Sequence, residues 1–381
     1  MIKFEIKKNT NFGRLGEIFE WGNEHKVNIK TPCFMIYTKG GSIPHLQWNN
    51  FEDHLKLQQD PIIQINISSF TDSLEALKRY GKGASSFANI PKHLPVHLTG
   101  LDHLGKIKKG YNNNSGIAVW TKSGKTLVDS AYYRSFIDAV KPSSFSTLMD
   151  YDTPKDASRK KLQKSVIRTN NYMKDFDSQG DIGIPRIVSI NGGDCMETRA
   201  EIAKVLSVVP STSGFNIDMT LFSYSEANEY YMGFKNEHIK RLLQETFEIL
   251  PEKKLKLSEG LFSPTHVLFL VSLGFDIFDS SYASDLAQDG MAFRLDDDYP
   301  HSGGSYKIID FKDRERFEKD YSPITYNCDC YSCKHYTKSY ITHLVRTKEL
   351  LAPLLLTIHN LYEYDKMFHL IRTYIDSQNI C

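Results

Sequence analysis

Short apolar or β-branched runs alternate with helix-patterned stretches along most of the chain. IIQINI (62–67), GIAVWT (116–121), FSTLMD (145–150), RIVSIN (186–191), GFNID (214–218), KLKLSE (254–259) and GFDIFD (274–279) read as strands. A helical pattern follows most of them. After RIVSIN, Asp194 reads as a helix cap with Glu197 as its capping-box partner. After KLKLSE, Ser263 is the expected N-cap and Pro264 the first helical residue, with Gly274 closing that helix. Regular strand–helix alternation implies parallel strands. With TPCFMIYT (31–38) it gives about eight units, the number a (β/α)8 TIM barrel requires. An open doubly wound sheet is the rival arrangement.

Several strands end in a carboxylate: Asp150, Asp218, Glu259 and Asp279. Strand C-termini face the functional side of a barrel, although such residues also cap the helix that follows. Past residue 295 the texture turns polar. The division expected is an α/β barrel over 1–295, a polar connector over 296–321, and a helical subdomain over 322–381 that completes the barrel.

Composition narrows the function classes. The chain has 381 residues, 40% hydrophobic, with 47 basic against 46 acidic residues and a net charge of +1. A core of ordinary size is available, and no overall field selects a polyanion or a membrane. MIKFEIKKNT lacks the apolar stretch of a secretory leader, and VLFLVSLGF (267–275) is too short to span a bilayer. A cytoplasmic protein is expected.

Three of six cysteines, Cys328, Cys330 and Cys333, form C-x-C-x2-C. Clustering of this kind favours metal over disulfides in an intracellular chain. Zinc takes four tetrahedral ligands from thiolate and imidazole. His335 is too close to Cys333 to fold back, which makes His343, His359 and His369 the candidates. Two helices, about 336–350 and 353–375 with a break at Ala352–Pro353, would bring His359 beside the loop. A four-ligand site of this type is structural: one Zn2+ with no open position for chemistry.

This segment, with His359 placed 26 positions after Cys333, resembles the zinc signature of the tRNA-guanine transglycosylases. SYITHLVRTKELLAPLLLTIHN resembles that family's zinc subdomain. GFDIFD resembles the strand carrying its nucleophilic aspartate, and RLGEIF and TPCFMIYT resemble its N-terminal strands. The resemblance implies a (β/α)8 barrel with a zinc subdomain, and exchange of a guanine base in tRNA for a modified base.

The implied catalytic parts do not all survive. Asp279 stands at the nucleophile position, and Asp150 is similar in place to the base-binding aspartate. The acid/base aspartate aligns with Gly100 in HLTGLDHLG, with Asp102 nearby but out of register. Ala283, Ser284 and Asp285 replace a Pro-Thr-Arg stretch, and Gln288 replaces a second arginine. NIDMTLFS (216–223) stands where a Gly-Gly-Leu stretch admits the base, and NGGD (191–194) where a Gln-Gly pair lines its pocket.

YTKGGSIPHL (37–46) and INGGDCMETR (190–199) are similar to a non-catalytic branch of the family. That branch implies no catalytic residues and a heterodimer with the catalytic subunit of queuine tRNA-ribosyltransferase, meeting through the zinc-subdomain regions and acting on the tRNA wobble position. It also allows a homodimer without the partner and peripheral attachment to the mitochondrial outer membrane. Basic groups for tRNA are Lys106, Lys108 and Lys109; Arg159, Lys160, Lys161 and Lys164; and Lys334, Lys338, Arg346 and Lys348. The second group reads best as a solvated helix face. Two other readings stay open: an active transglycosylase using Asp279 and Asp150, and a zinc-stabilised barrel with no tRNA role.

Overall fold

The computed structural model describes residues 1–105, 110–151, 153–154, 156–222, 237–301 and 303–379. Eight parallel strands close a barrel. In chain order they are Cys33–Tyr37, Ile62–Asn66, Val96–Thr99, Ser144–Ser146, Arg186–Ile190, Thr212–Ile217, Leu255–Leu257 and Ile277–Asp279. The last pairs with the first, Ile277 opposite Cys33, which closes the ring. The alternation pattern therefore gave the right fold, with one strand misassigned. Gly116–Thr121 is no barrel strand. It pairs antiparallel with Gly124–Asp129 in a separate hairpin that turns through Lys122 and Ser123, with Gly124 at φ +115° just after the turn. The third barrel position belongs to Val96–Thr99.

The two-residue period of the strands sorts side chains into layers. Outward residues such as Phe34, Ile36, Ile63, Ile65, Val188, Phe215 and Phe278 join one large apolar cluster with the surrounding helices. Inward residues at the N-terminal end are also apolar. Cys33, Met35, Ile62, Ile187, Leu255, Leu257 and Ile277 pack against Ile18, Trp21 and Ile29. Those three come from an antiparallel sheet, Ile2–Thr10, Gly13–Trp21 and His25–Thr31, which plugs that end. Arg14 fastens the plug. It donates to Asp276 at 2.8 and 2.5 Å and to the carbonyls of Glu252 and Lys254 at 2.6 and 3.0 Å.

Helix Pro264–Ser272 begins as expected, with Ser263 accepting from the His266 N–H. Helix Met196–Leu206 does not. Its cap position is Cys195, without a side-chain bond, and Asp194 is instead hydrogen-bonded to His238 at 2.6 Å. The polar stretch after 295 contains a strand, Tyr306–Asp310, antiparallel to Met291–Leu295. Helices Tyr331–His335, Lys338–Thr347 and Leu351–Ser377 follow. The break before the last one falls at Lys348 (φ +58°), so Pro353 sits inside its first turn, where a missing N–H costs nothing. This 27-residue helix runs along the barrel seam, with Phe368 stacked on Phe34 at 5.4 Å and tilted against Phe278 at 5.8 Å. No described helix is long and apolar enough to cross a membrane.

Candidate functional site

Cys328, Cys330, Cys333 and His359 converge in the second apolar cluster, all buried, with their ligand atoms within 4.8 Å of one another. Cys330 caps the single turn Tyr331–His335, which carries Cys333; His359 comes from the middle of the long helix. The three sulfurs lie 3.8, 3.5 and 3.4 Å from His359 Nδ1. Metal–ligand lengths of about 2.3 Å for sulfur and about 2.0–2.1 Å for nitrogen at a tetrahedral angle place S and N about 3.6 Å apart. The geometry therefore suits a small tetrahedral cation without rearrangement.

The supporting contacts suit it too. His359 Nε2 is 3.0 Å from the Phe293 carbonyl. Donating there fixes the proton on Nε2 and leaves the Nδ1 lone pair facing the thiols. Ser332 Oγ donates to the Leu355 carbonyl at 2.6 Å and ties the cysteine turn to the helix. The other candidate histidines, His343 and His369, take no part and are exposed, as is His335, which the spacing rules out.

At the opposite end of the barrel from the plug, the inward layer is polar. Glu259 accepts from Gln64 Nε2 at 3.0 Å, Thr99 Oγ1 at 2.7 Å and Asn216 Nδ2 at 2.8 Å. Asp279 accepts from Gln64 at 3.3 Å, the Gly260 N–H at 3.1 Å and the Ser281 N–H at 2.9 Å. Burial raises both carboxyls, Asp279 to about 6. His97 Nε2 lies 3.9 Å from Glu259. This is no ion pair, because burial holds the imidazole down to about 3 and both ring nitrogens bond serine hydroxyls, Ser144 at 2.8 Å and Ser146 at 3.0 Å.

Asp150 is held by Asn112 at 2.9 Å and Arg168 at 3.0 Å. Asp102 takes the Tyr37 hydroxyl at 2.6 Å and the Ser68 hydroxyl at 3.3 Å. A Cβ on Gly100 would meet only methyls of Ile117 and Leu148, at 3.7 and 3.8 Å. Space for a side chain exists there, so its absence is not steric. Asp285 lies on helix Ser281–Gln288, and Gln288 is exposed at its end. Met219 and Phe222 are buried in the main core; Ser223 lies outside the described residues.

Sequence reasoning missed most partners in this layer. Gln64 and Asn216 had a readable signal, a polar residue inside an apolar strand run. Arg168, Asn112 and Arg199 had none. Arg199 is buried beneath NGGD, donating to the Gly193 and Asp218 carbonyls at 2.7 and 2.6 Å. Of the basic groups, Lys334 pairs with Asp329 at 3.0 Å, Lys338 with Asp320 at 3.2 Å, and Arg346 reaches Glu318 at 4.0 Å. Lys106, Lys108 and Lys109 lie outside the described residues.

An eight-stranded barrel with a Cys3His cluster on a helical C-terminal region defines the class. The family model for queuine tRNA-ribosyltransferase matches residues 9–380, and the chain belongs to that family. Among its relatives, queuine tRNA-ribosyltransferase accessory subunit 2 of Caenorhabditis briggsae is 42% identical over 382 residues, covering 99% of each chain. The protein of the same name from Caenorhabditis elegans is 41% identical over 378 residues, again covering 99% of each. That of Drosophila melanogaster is 30% identical over 391 residues, covering 97% of this chain and 88% of the relative.

Proposed function

We propose that this chain is the non-catalytic subunit of a heterodimeric queuine tRNA-ribosyltransferase. It would pair with a catalytic subunit that exchanges guanine for queuine at the wobble position, and it would contribute tRNA binding and stability. The observation carrying this reading is Gly100, which leaves Asp279 without an acid/base partner in register. Base exchange by a carboxylate nucleophile needs a second group to move the proton. Asp279 also accepts hydrogen bonds from two backbone N–H groups and Gln64.

The Cys3His cluster is read as one structural Zn2+ held by Cys328, Cys330, Cys333 and His359. With four protein ligands the ion would supply folding energy and no chemistry. Residues 1–295, 296–321 and 322–381 are read as barrel, connector and zinc-bearing helical unit. The expected location is the cytoplasm, with any attachment to the mitochondrial surface made peripherally.

The test is to assay guanine-labelled tRNA with queuine, using this chain alone, the catalytic subunit alone, and both. Exchange is expected only when both are present, together with a heterodimer in solution. Turnover by this chain alone overturns the reading, as does failure of the two to associate. Charge reversal at Lys334, Lys338 and Arg346 should weaken tRNA binding of the heterodimer and flatten its salt dependence.

A further inference from the structure

Helix Arg159–Asp177 carries the wrong charges for its own stability. A helix N-terminus is the positive pole of the helix dipole and favours carboxylates. Here the first turn holds no acid and carries Arg159, Lys160 and Lys161 instead. Lys161, Lys164 and Arg168 then fall on one face, three and four residues apart. Like charges at that spacing oppose the helix. Arg159 is offset by Glu197 at 2.6 Å and Arg168 by Asp150 at 3.0 Å. Lys161 and Lys164 have no acidic partner among the described residues.

Those two lysines line a cleft of about 290 Å³ together with Asn112, Asp150, Thr153 and Arg168. That volume is at the lower edge for a small-ligand site. Asp150 adds no free charge, because Asn112 and Arg168 occupy its oxygens. The net charge of the described lining residues is therefore positive. Thr153 is 2% exposed, and its Oγ1 makes no hydrogen bond. A buried hydroxyl without a partner is uncommon, so Thr153 Oγ1 can still take a hydrogen-bond partner on this wall.

We propose that this cleft binds a phosphate group, with Lys161 and Lys164 supplying charge and Thr153 Oγ1 a hydrogen bond. The lysines form charge-assisted bonds to phosphate oxygens and complete the unfavourable helix end. The phosphate is either a monoester on a small molecule or a diester in an RNA strand. The cleft shares no residue with the Cys3His cluster, so the phosphate-binding test on this chain does not depend on metal or partner subunit.

Binding of inorganic phosphate, adenosine 5′-monophosphate and adenosine is measured calorimetrically on the full chain at fixed ionic strength. Phosphate and the monophosphate are expected to bind, and adenosine is not. K161E/K164E should weaken both by at least about tenfold, since each reversed charge turns an attraction into a repulsion. Both sites are exposed, and a melting temperature without ligand no lower than that of the wild type confirms folding. No phosphate binding to the wild type overturns the proposal, and so does an unchanged affinity in K161E/K164E. Measuring tRNA affinity of the heterodimer with the same variant separates the sources. A parallel loss assigns the phosphate to RNA; an unchanged tRNA affinity with lost monophosphate binding assigns it to a small monoester.

Discussion

Replacing Cys330 by serine tests the metal reading cleanly. Cys330 has two jobs: it faces the cluster, and its sulfur accepts the Cys333 N–H at 3.3 Å as the cap of the turn Tyr331–His335. Serine is a good N-cap, so Cys330→Ser keeps the second job and removes only the thiolate. Structural zinc sites are worth about 10–16 kcal/mol in apparent binding energy, or roughly 2.5–4 kcal/mol for each of four ligands. Loss of one ligand should weaken zinc by about two to three powers of ten, at about 1.4 kcal/mol per factor of ten. The damage should stay local. A single helical turn cannot hold itself together in water, and the Ser332–Leu355 bond is the main polar tie this turn has to the long helix. Residues 322–347 should therefore lose protection while the barrel keeps its own. Metal content by atomic emission and amide exchange by mass spectrometry read the two effects separately. Full zinc content with unchanged exchange in Cys330→Ser would refute the assignment. So would loss of protection spread evenly over the barrel strands.

Two further outcomes concern the barrel. Arg14→Ala leaves Asp276 buried without its charged partner, although the Lys256 N–H at 2.7 Å remains, a defect costing about 3–5 kcal/mol. With an unfolding entropy of about 2.1 cal/mol/K per residue, or about 0.8 kcal/mol/K for 381 residues, the melting temperature should fall by about 4–6 °C; calorimetry checks this, and a change under one degree contradicts it. Asp365 is buried and raised from 3.8 to about 6, so the folded state binds its proton more tightly than the unfolded state does. That contribution is intact below about pH 4 and is lost as pH rises to about 6. Asp365→Asn removes it. Relative to wild type, the variant should gain about 1.4 kcal/mol per pH unit across that window and nothing above it, as read by urea unfolding at several pH values.

The parts of this molecule visible in its sequence are those whose information is local. Cys328, Cys330 and Cys333 sit on one turn, and helix length alone brought His359 alongside. Barrel strands such as Ile62–Asn66 and Arg186–Ile190 read as mostly apolar runs, as strands covered on both sides do, with inward polar residues such as Gln64 and Ser189 interrupting them. Val96–Thr99 was hidden because it is four residues long with His97 on its inward side, while Gly116–Thr121 is longer and more strand-like. The polar layer was out of reach for a different reason. The donors to Glu259 lie 195, 160 and 43 residues away, on three different strands. Only closure of the ring brings them together, and nothing in the neighbourhood of any one of them announces the others.

The long C-terminal helix bears on how the chain is made. Its far half fills the seam between the first and last barrel strands, through Phe368 on Phe34 and Phe278, and Arg372 donates to the Pro32 carbonyl at 2.8 Å. Its near half carries His359. A nascent chain has all eight strands outside the ribosome well before this helix emerges, and until then the seam has no cover. The seam is covered only once this helix has emerged, and the segment that covers it also brings the fourth ligand. A chain stopped before Leu351 would therefore expose a strip of aromatic core along that seam, which makes early termination an aggregation hazard rather than a mild truncation.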